Sequence, residues 1–291
     1  MVQTQEEQES RLLMKLDNLC EGSIIKRPSK LVRSPYVADI NIDNNVSLAH
    51  TASLGCCGLA DAGATVLIQP IIPKKKEEDD SKKCKYRVYL SVISNGEHET
   101  IIGIYPKIAE TLVEKAINYN FLSNLQNIKS YKRETCVFIK DKVDSRFDFS
   151  GVDENNVPFL LEVKNVPLAD YEDMTSSERK KHDFSDRDFN SKVAYFPDGY
   201  RKKTTDPVSP RALKHIRELA TIKKECNTRC ILCFVIQRTD VNRFTTSIID
   251  PEYKQAVKDA AEDGVEIIAI VVKWTRDGNA YFVRDDLPIS L

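Results

Sequence analysis

The sequence predicts a mixed α+β protein. A polar leader (residues 1–22) precedes a small β-barrel (residues 23–95), which is followed by an α/β domain (residues 96–291). Three observations predict this. Between Ser23 and Ser94 the apolar residues fall in short runs separated by turn residues, as in small barrels. After Pro106 the period switches, and Ile108, Leu112, Val113, Ala116 and Ile117 recur on one face at helical spacing. Finally, two continuous apolar runs, Cys230–Ile236 and Val265–Val272, alternate with helix-like stretches, which is the pattern of strands buried on both faces.

Each element can be justified in order. The leader is acidic and polar, with some helical content at Leu12-Leu13-Met14-Lys15-Leu16 and punctuation at Gly22. Tyr36–Ile42 and Val46–His50 read as a hairpin around Asp43-Asn44-Asn45. Thr65–Ile68 and Tyr86–Ile93 flank a mixed-charge loop, Lys74–Asp80, expected to be flexible. Arg146–Phe149 and Val157–Val163 read as two strands joined through Asp153–Asn156. A helix is expected over Arg211–Lys224 after Pro210, and another over Pro251–Glu262, stopped at Gly264. The charged segment 171–192 interrupts this order and reads as a mobile surface insertion.

Composition excludes several classes. Of 291 residues, 41% are hydrophobic and 30% charged, which is ordinary globular balance, and no apolar run is long enough to span a membrane. Forty-three basic residues against 44 acidic ones give a net charge of −1, so a nucleic-acid partner would have to be met by a local patch. The N-terminus has neither the basic start of a secretory signal nor the acid-free character of a transit peptide, so an intracellular location, cytoplasmic or nuclear, and reduced cysteines are expected.

The strongest chemical signal is Asp148 on one strand and Glu162-Val163-Lys164 on the next. Residues two apart on a strand share a face, so Glu162 and Lys164 point together while Val163 enters the core. If the two strands pair, Asp148 joins them, and two carboxylates with one ammonium suit Mg²⁺ (or Mn²⁺) and phosphate chemistry. Glu114 on the preceding helix is a further candidate acid. The bland alternative is a solvated Glu-x-Lys salt bridge of little consequence. Against it, Leu160, Leu161 and Val163 mark a buried strand, where unpaired charge is costly.

The segments Ser145–Phe149, Leu161–Val166, Tyr195–Asp198, Ser209–Leu219, Phe234–Arg238 and Ile249–Tyr253 occur in the order of the sugar fermentation stimulation protein A family, which the chain resembles. Lys26–Lys30, Leu48–His50 and Leu112–Ala116 also fit upstream. The resemblance implies an N-terminal OB-like barrel, a restriction-endonuclease-like domain of the PD-(D/E)xK type, and DNA as partner. It implies catalytic roles for Asp148, Glu162, Lys164 and Glu114, with Asp148, Glu162, the Val163 carbonyl and Glu114 holding metal. It also implies nucleic-acid contacts from Arg211, Lys214, His215, Arg146, Lys26 and Arg27. The chain departs from the family pattern at Thr51–Gly55 and at Ala212, where the family has Gly.

Other features carry less. Arg201-Lys202-Lys203 precede the helix bearing Arg211, Lys214 and His215, and these basic groups read either as a phosphate-contacting face or as a solvated one. Cys230 and Cys233 are three apart on a strand and face opposite sides, so they cannot chelate one ion together, and Cys56-Cys57 has too few companions for zinc. The residues favour a nucleic-acid-binding protein with a Mg²⁺-dependent phosphodiester-hydrolysing centre, leaving DNA and RNA open, and the resemblance implies DNA. The alternative is a DNA-binding regulator on a nuclease-like fold that does not cut. Oligomeric state is not legible.

Overall fold

The computed structural model describes residues 11–51, 58–72, 82–199 and 206–291. The first ten residues of the leader, Ala52–Gly55 of the altered family motif, Cys56-Cys57, the Lys74–Asp80 loop and Arg201-Lys202-Lys203 lie outside them.

The chain begins with β1 (Leu12–Lys15), followed by six strands that form one curled sheet: β2 (Cys20–Lys26), β3 (Val37–Ile42), β4 (Asn45–His50), β5 (Thr65–Pro70), β6 (Tyr86–Ser94) and β7 (Glu99–Gly103). The sheet order is β4-β3-β2-β5-β6-β7. It rolls until β4 meets β6 in parallel over only two residue pairs, Ala49 with Tyr86 and His50 with Arg87. The expected barrel is thus a rolled sheet with a two-pair seam, not a fully closed cylinder. Its interior is filled by Ile24, Ala38, Ile40, Ala49, Val66, Ile68, Val88 and Ile102.

Helix α1 (Lys107–Asn118) leads into β8 (Ser130–Ile139), β9 (Val143–Val152), β10 (Pro158–Val166) and the short β11 (Ala169–Asp170). Next come α2 (Ser176–Arg179), β12 (Lys192–Phe196), α3 (Pro210–Glu225), β13 (Arg229–Ile236), β14 (Val241–Thr246), α4 (Pro251–Glu262), β15 (Glu266–Trp274), β16 (Asn279–Arg284) and β17 (Ile289–Ser290). A seven-stranded mixed sheet has the order β1-β16-β15-β13-β10-β9-β8, and β11, β12, β14 and β17 form a second, smaller sheet. At the centre of the large sheet β10, β13 and β15 are parallel. Both of their faces are covered: α1 and the rolled sheet pack on one side, α3 and α4 on the other. This is why β13 is apolar from Cys230 to Ile236 and why apolar residues dominate β10 and β15. Cys230 and Cys233 fall in these two opposite cores, as their spacing requires.

The helices match their sequence signals. Pro210 and Pro251 occupy first-turn positions, the Asp250 side chain accepts from the Tyr253 amide at 3.1 Å, and Gly264, at φ +93°, follows the end of α4. Two expectations need correction. Leu12–Lys15 is not helical but a strand against the β16 edge, with Leu13 and Leu16 buried in the core. So short a helix gains little by itself, whereas β16 offers an unpaired row of donors and acceptors. Segment 171–192 is not simply a loose insertion. Asp173 accepts from Ser247 Oγ and the Ile248 amide, both at 2.8 Å, and Lys192 is buried against Asp240 at 2.8 Å. The segment is anchored by polar contacts, which apolar periodicity does not report.

The rolled sheet docks on the large sheet at Gly103. Its amide donates to the Gln237 carbonyl at 3.0 Å, and a Cβ at this position would lie 2.0 Å from Gln237 Oε1 and 2.6 Å from Trp274 Nε1. Trp274 Nε1 donates to Gln237 Oε1 at 2.8 Å, and Gln237 Nε2 donates to Asn165 Oδ1 at 2.6 Å. Gly103→Ala is therefore expected to destabilise by about 1–3 kcal/mol, the usual cost of overpacking. This should appear in thermal denaturation as a melting point several degrees below wild type.

Candidate active site

Strands β9 and β10 pair regularly from Val152–Pro158 to Phe149–Leu161, and the ladder then stops. At this point β9 rolls over. Phe147 and Phe149, two apart, lie in different cores, and Glu134 on the neighbouring strand β8 takes a left-handed conformation at φ +53°. Asp148 sits at the roll. Instead of a backbone partner, the Val163 amide donates to Asp148 Oδ2 at 2.7 Å. The side chain thus replaces a missing ladder bond and brings Asp148 beside Glu162.

Glu162 is only 2% exposed. Its Oε1 accepts from Lys164 Nζ, two residues on, and faces His215 Nδ1 across from α3. Its other oxygen, Oε2, is buried and has no partner. Burial would raise the Glu162 carboxyl, but the Lys164 ammonium and the His215 bond bring it below its usual value. Asp148 moves the opposite way. Desolvation, and then the Glu162 charge, push it from 3.8 to about 7 against the pull of the Val163 amide and Lys164.

These groups line a pocket of about 500 Å³. Its rim includes the first turns of two helices: Pro106, Lys107 and Glu110 of α1, and Ser209 and Arg211 of α3. Neither helix has a side-chain N-cap bond, so the partial positive charge of both N-termini is left facing the pocket.

The residues picked out in the sequence divide accordingly. Asp148, Glu162, Val163, Lys164 and Arg211 converge on the pocket. Glu114 is not among its lining residues. Its carboxylate receives Arg133 at 3.0 Å and Tyr131 at 3.3 Å, and the helical acid at the pocket is Glu110, one turn earlier. Spacing could not separate the two, because residues four apart share a helical face. His215 is buried, 4% exposed, and holds Glu162 instead of facing solvent. Lys214 points away, donating to the Asp144 carbonyl. Arg146 is exposed beside Glu134 at 3.3 Å, on the outer hairpin. Arg27 donates to the Pro35 carbonyl at 2.9 Å and lies 4.0 Å from Asp61, with its side chain nearly buried. Lys26, on β2, is exposed and is not among the pocket's lining residues. Lys107 and Glu110 were missed, since nothing in a single amphipathic helix says which end meets a strand terminus.

Comparison with known proteins places the chain in a family. The family model described as the sugar fermentation stimulation protein RE domain matches residues 107–278, more than half of the chain. The chain belongs to the sugar fermentation stimulation protein A family. It is 29% identical over 255 residues to the sugar fermentation stimulation protein homolog of Maricaulis maris, covering 87% of this chain and 88% of that one. With the homolog of Alteromonas mediterranea it shares 29% over 281 residues, 94% and 98% of the two chains. The fold matches the structure of Pyrococcus furiosus SfsA in complex with Ca²⁺, with a TM-score of 0.71 at 20% identity over 96% of this chain and 99% of that one. The family match spans α1, the splayed strands and α3, and therefore every element that lines the pocket's acidic centre.

The raised Asp148 pKa has a stability consequence. Its folded value, about 7, lies above the unfolded 3.8, so the native state loses stability as pH rises through this interval and the loss is complete above pH 7. In metal-free protein, Asp148→Asn removes that cost. Its melting point should exceed wild type by several degrees at pH 8 and by less at pH 5, as measured by calorimetry in chelator. A gain independent of pH would show that the ionised carboxylate is not the source.

Proposed function

We propose that this protein binds DNA and hydrolyses phosphodiester bonds at a divalent-metal centre held by Asp148, Glu162 and the Val163 carbonyl. One observation carries the reading: a single pocket joins two adjoining carboxylates to two uncapped helix N-termini, each with a basic side chain in its first turn. Carboxylates call for a cation, and the helix ends with Lys107 and Arg211 call for an anion. A metal-bound phosphodiester answers both.

The residues fit a divalent ion. Glu162 Oε2 is buried without a partner, and Asp148 holds a proton near neutrality because burial, and then the Glu162 charge, disfavour its ionised form. No cluster of three His, Cys, Asp or Glu side chains is poised for a metal among the described residues, so the Val163 carbonyl and a substrate phosphate would complete its ligands. The Ca²⁺ complex of the Pyrococcus furiosus relative supports a hard cation, for which Mg²⁺ or Mn²⁺ is the catalytic choice here. When bound, such an ion lowers the pKa of water and offsets charge on phosphorus. Arg211 and Lys107 orient the phosphate from the two helix ends, and Lys164 positions the attacking water. His215 keeps Glu162 aligned by occupying one face of Oε1. The domain reading follows: the segment from α1 onward acts as the PD-(D/E)xK nuclease-like unit, and the rolled sheet as the OB-like unit.

In Mg²⁺ or Mn²⁺ the wild type should cleave labelled DNA. Asp148→Asn or Lys164→Ala should cut at least about 10²-fold more slowly, with binding in chelator changed by less than about twofold. Arg211→Ala should weaken binding and reduce its salt slope by about one. Binding without cleavage in either metal would instead identify a regulator on a nuclease-like fold.

A further inference from the structure

A stripe of aromatic and cationic side chains crosses the outer surface of the rolled sheet and ends at the pocket. At its far end the rings of Tyr36 and His50 stack, with centroids 6.5 Å apart and planes 14° off parallel. His50 lies beside Arg87 across the parallel seam between β4 and β6. Their neighbours Ala49 and Val88 fill the interior, so His50 and Arg87 both face outward. The Arg87 guanidinium sits 5.3 Å from the centre of the Tyr105 ring, and Tyr89 and Tyr105 are 5.0 Å apart. Tyr105 immediately precedes Pro106 and Lys107, which line the pocket.

The stripe depends on a local irregularity. Leu67 pairs with Leu90 and Ile68 with Val88, so Tyr89 is an extra residue in β6. A bulge of this kind re-aims a side chain and is over-represented beside functional sites. Here it sets Tyr89 and Leu90 on the same side of β6, with Tyr89 against Tyr105. Burial and the adjoining Arg87 charge lower the His50 pKa, which keeps its ring neutral and available for stacking. Tyr36 is 40% exposed, and His50, Arg87, Tyr89 and Tyr105 are each half-buried; the two tyrosines rest one side on the core between the sheets and leave part of their surface open.

We infer that this stripe is the track for a single-stranded DNA tail, whose unpaired bases stack on Tyr36, His50, Tyr89 and Tyr105 while Arg87 and Lys107 meet its backbone and lead a phosphate into the pocket. This rests on reading the pocket as a phosphodiester site. Alternating π-faces and cations suit a single strand, because every base offers a face to stack on and the backbone is charged throughout. A duplex keeps its faces stacked internally and could use only the cations. The stripe also runs directly into the N-terminus of α1, which a phosphate would meet next, with that of α3 on the same pocket.

The test is fluorescence anisotropy on the full chain in chelator, with oligo(dT), oligo(rU) and a duplex of equal length. Oligo(dT) should bind at least about tenfold tighter than the duplex. Tyr36→Ala and Arg87→Gln should each weaken oligo(dT) binding about fivefold or more with little change for the duplex. Tyr36→Phe should retain binding, and unchanged melting curves would confirm that the variants fold. Equal affinities for oligo(dT) and duplex, unaffected oligo(dT) binding in Tyr36→Ala and Arg87→Gln, or tighter binding of oligo(rU) would each overturn the inference. Cleavage of tailed duplex in Mg²⁺ or Mn²⁺, read separately, tests the pocket. Loss of oligo(dT) binding in the stripe variants of a protein that never cuts would support the track while removing the phosphodiesterase.

Discussion

A carboxylate sealed inside a sheet has to be matched by charge or it destabilises the fold, and Glu162 is 2% exposed at the centre of a seven-stranded sheet. Lys164 on its own strand supplies that charge, and the His215 ring from α3 adds a hydrogen bond. Lys164 and His215 both address one oxygen, which leaves the other unmatched. A buried carboxylate oxygen thus stands without a donor beside Asp148, which is the feature of the pocket that suits a cation. The same bond fixes α3 against β10, so the first turn of α3, with Arg211, faces the pocket.

The splay of β9 from β10 is the backbone counterpart of this arrangement. A regular ladder would continue past Phe149 and close the space over Glu162. Instead, the roll at Asp148 ends the ladder, and the Asp148 carboxylate takes over the Val163 amide. One side chain thus both repairs the sheet and supplies the second acid. Gln237 extends the network to the rolled sheet, joining Gly103, Trp274 and Asn165 next to Lys164. The stripe that ends at Tyr105 and the acidic centre are held in register by this buried amide.

Much of this was legible in the sequence. Strands β10, β13 and β15 announce themselves by apolar stretches, unbroken in β13, and α3 and α4 by their prolines and, for α4, by Gly264. Asp148, Glu162 and Lys164 stand out because two adjacent strands put them together and the apolar neighbours of Glu162 and Lys164 mark a buried strand. Other features have no local signature. Leu12–Lys15 became a strand because β16 needed a neighbour. The basic face of α3 separated by burial: His215 went inward, Lys214 turned to Asp144, and Arg211 alone among the three lines the pocket. The choice of Glu110 over Glu114 depended on where α1 meets the strand end, which helical periodicity leaves open by one turn.

By itself the sequence determined which residues form the central strands and helices, and which charges must be buried among them, because those outcomes follow from apolar periodicity over short stretches of chain. The tertiary structure alone decided the rest. The alignment of two helix N-termini on one strand end, the rolled sheet's path to that pocket, and the division of labour among neighbouring charged residues all depend on contacts between segments far apart in the chain. Local pattern carries no information about such contacts, since each is set by the geometry of packing one element against another.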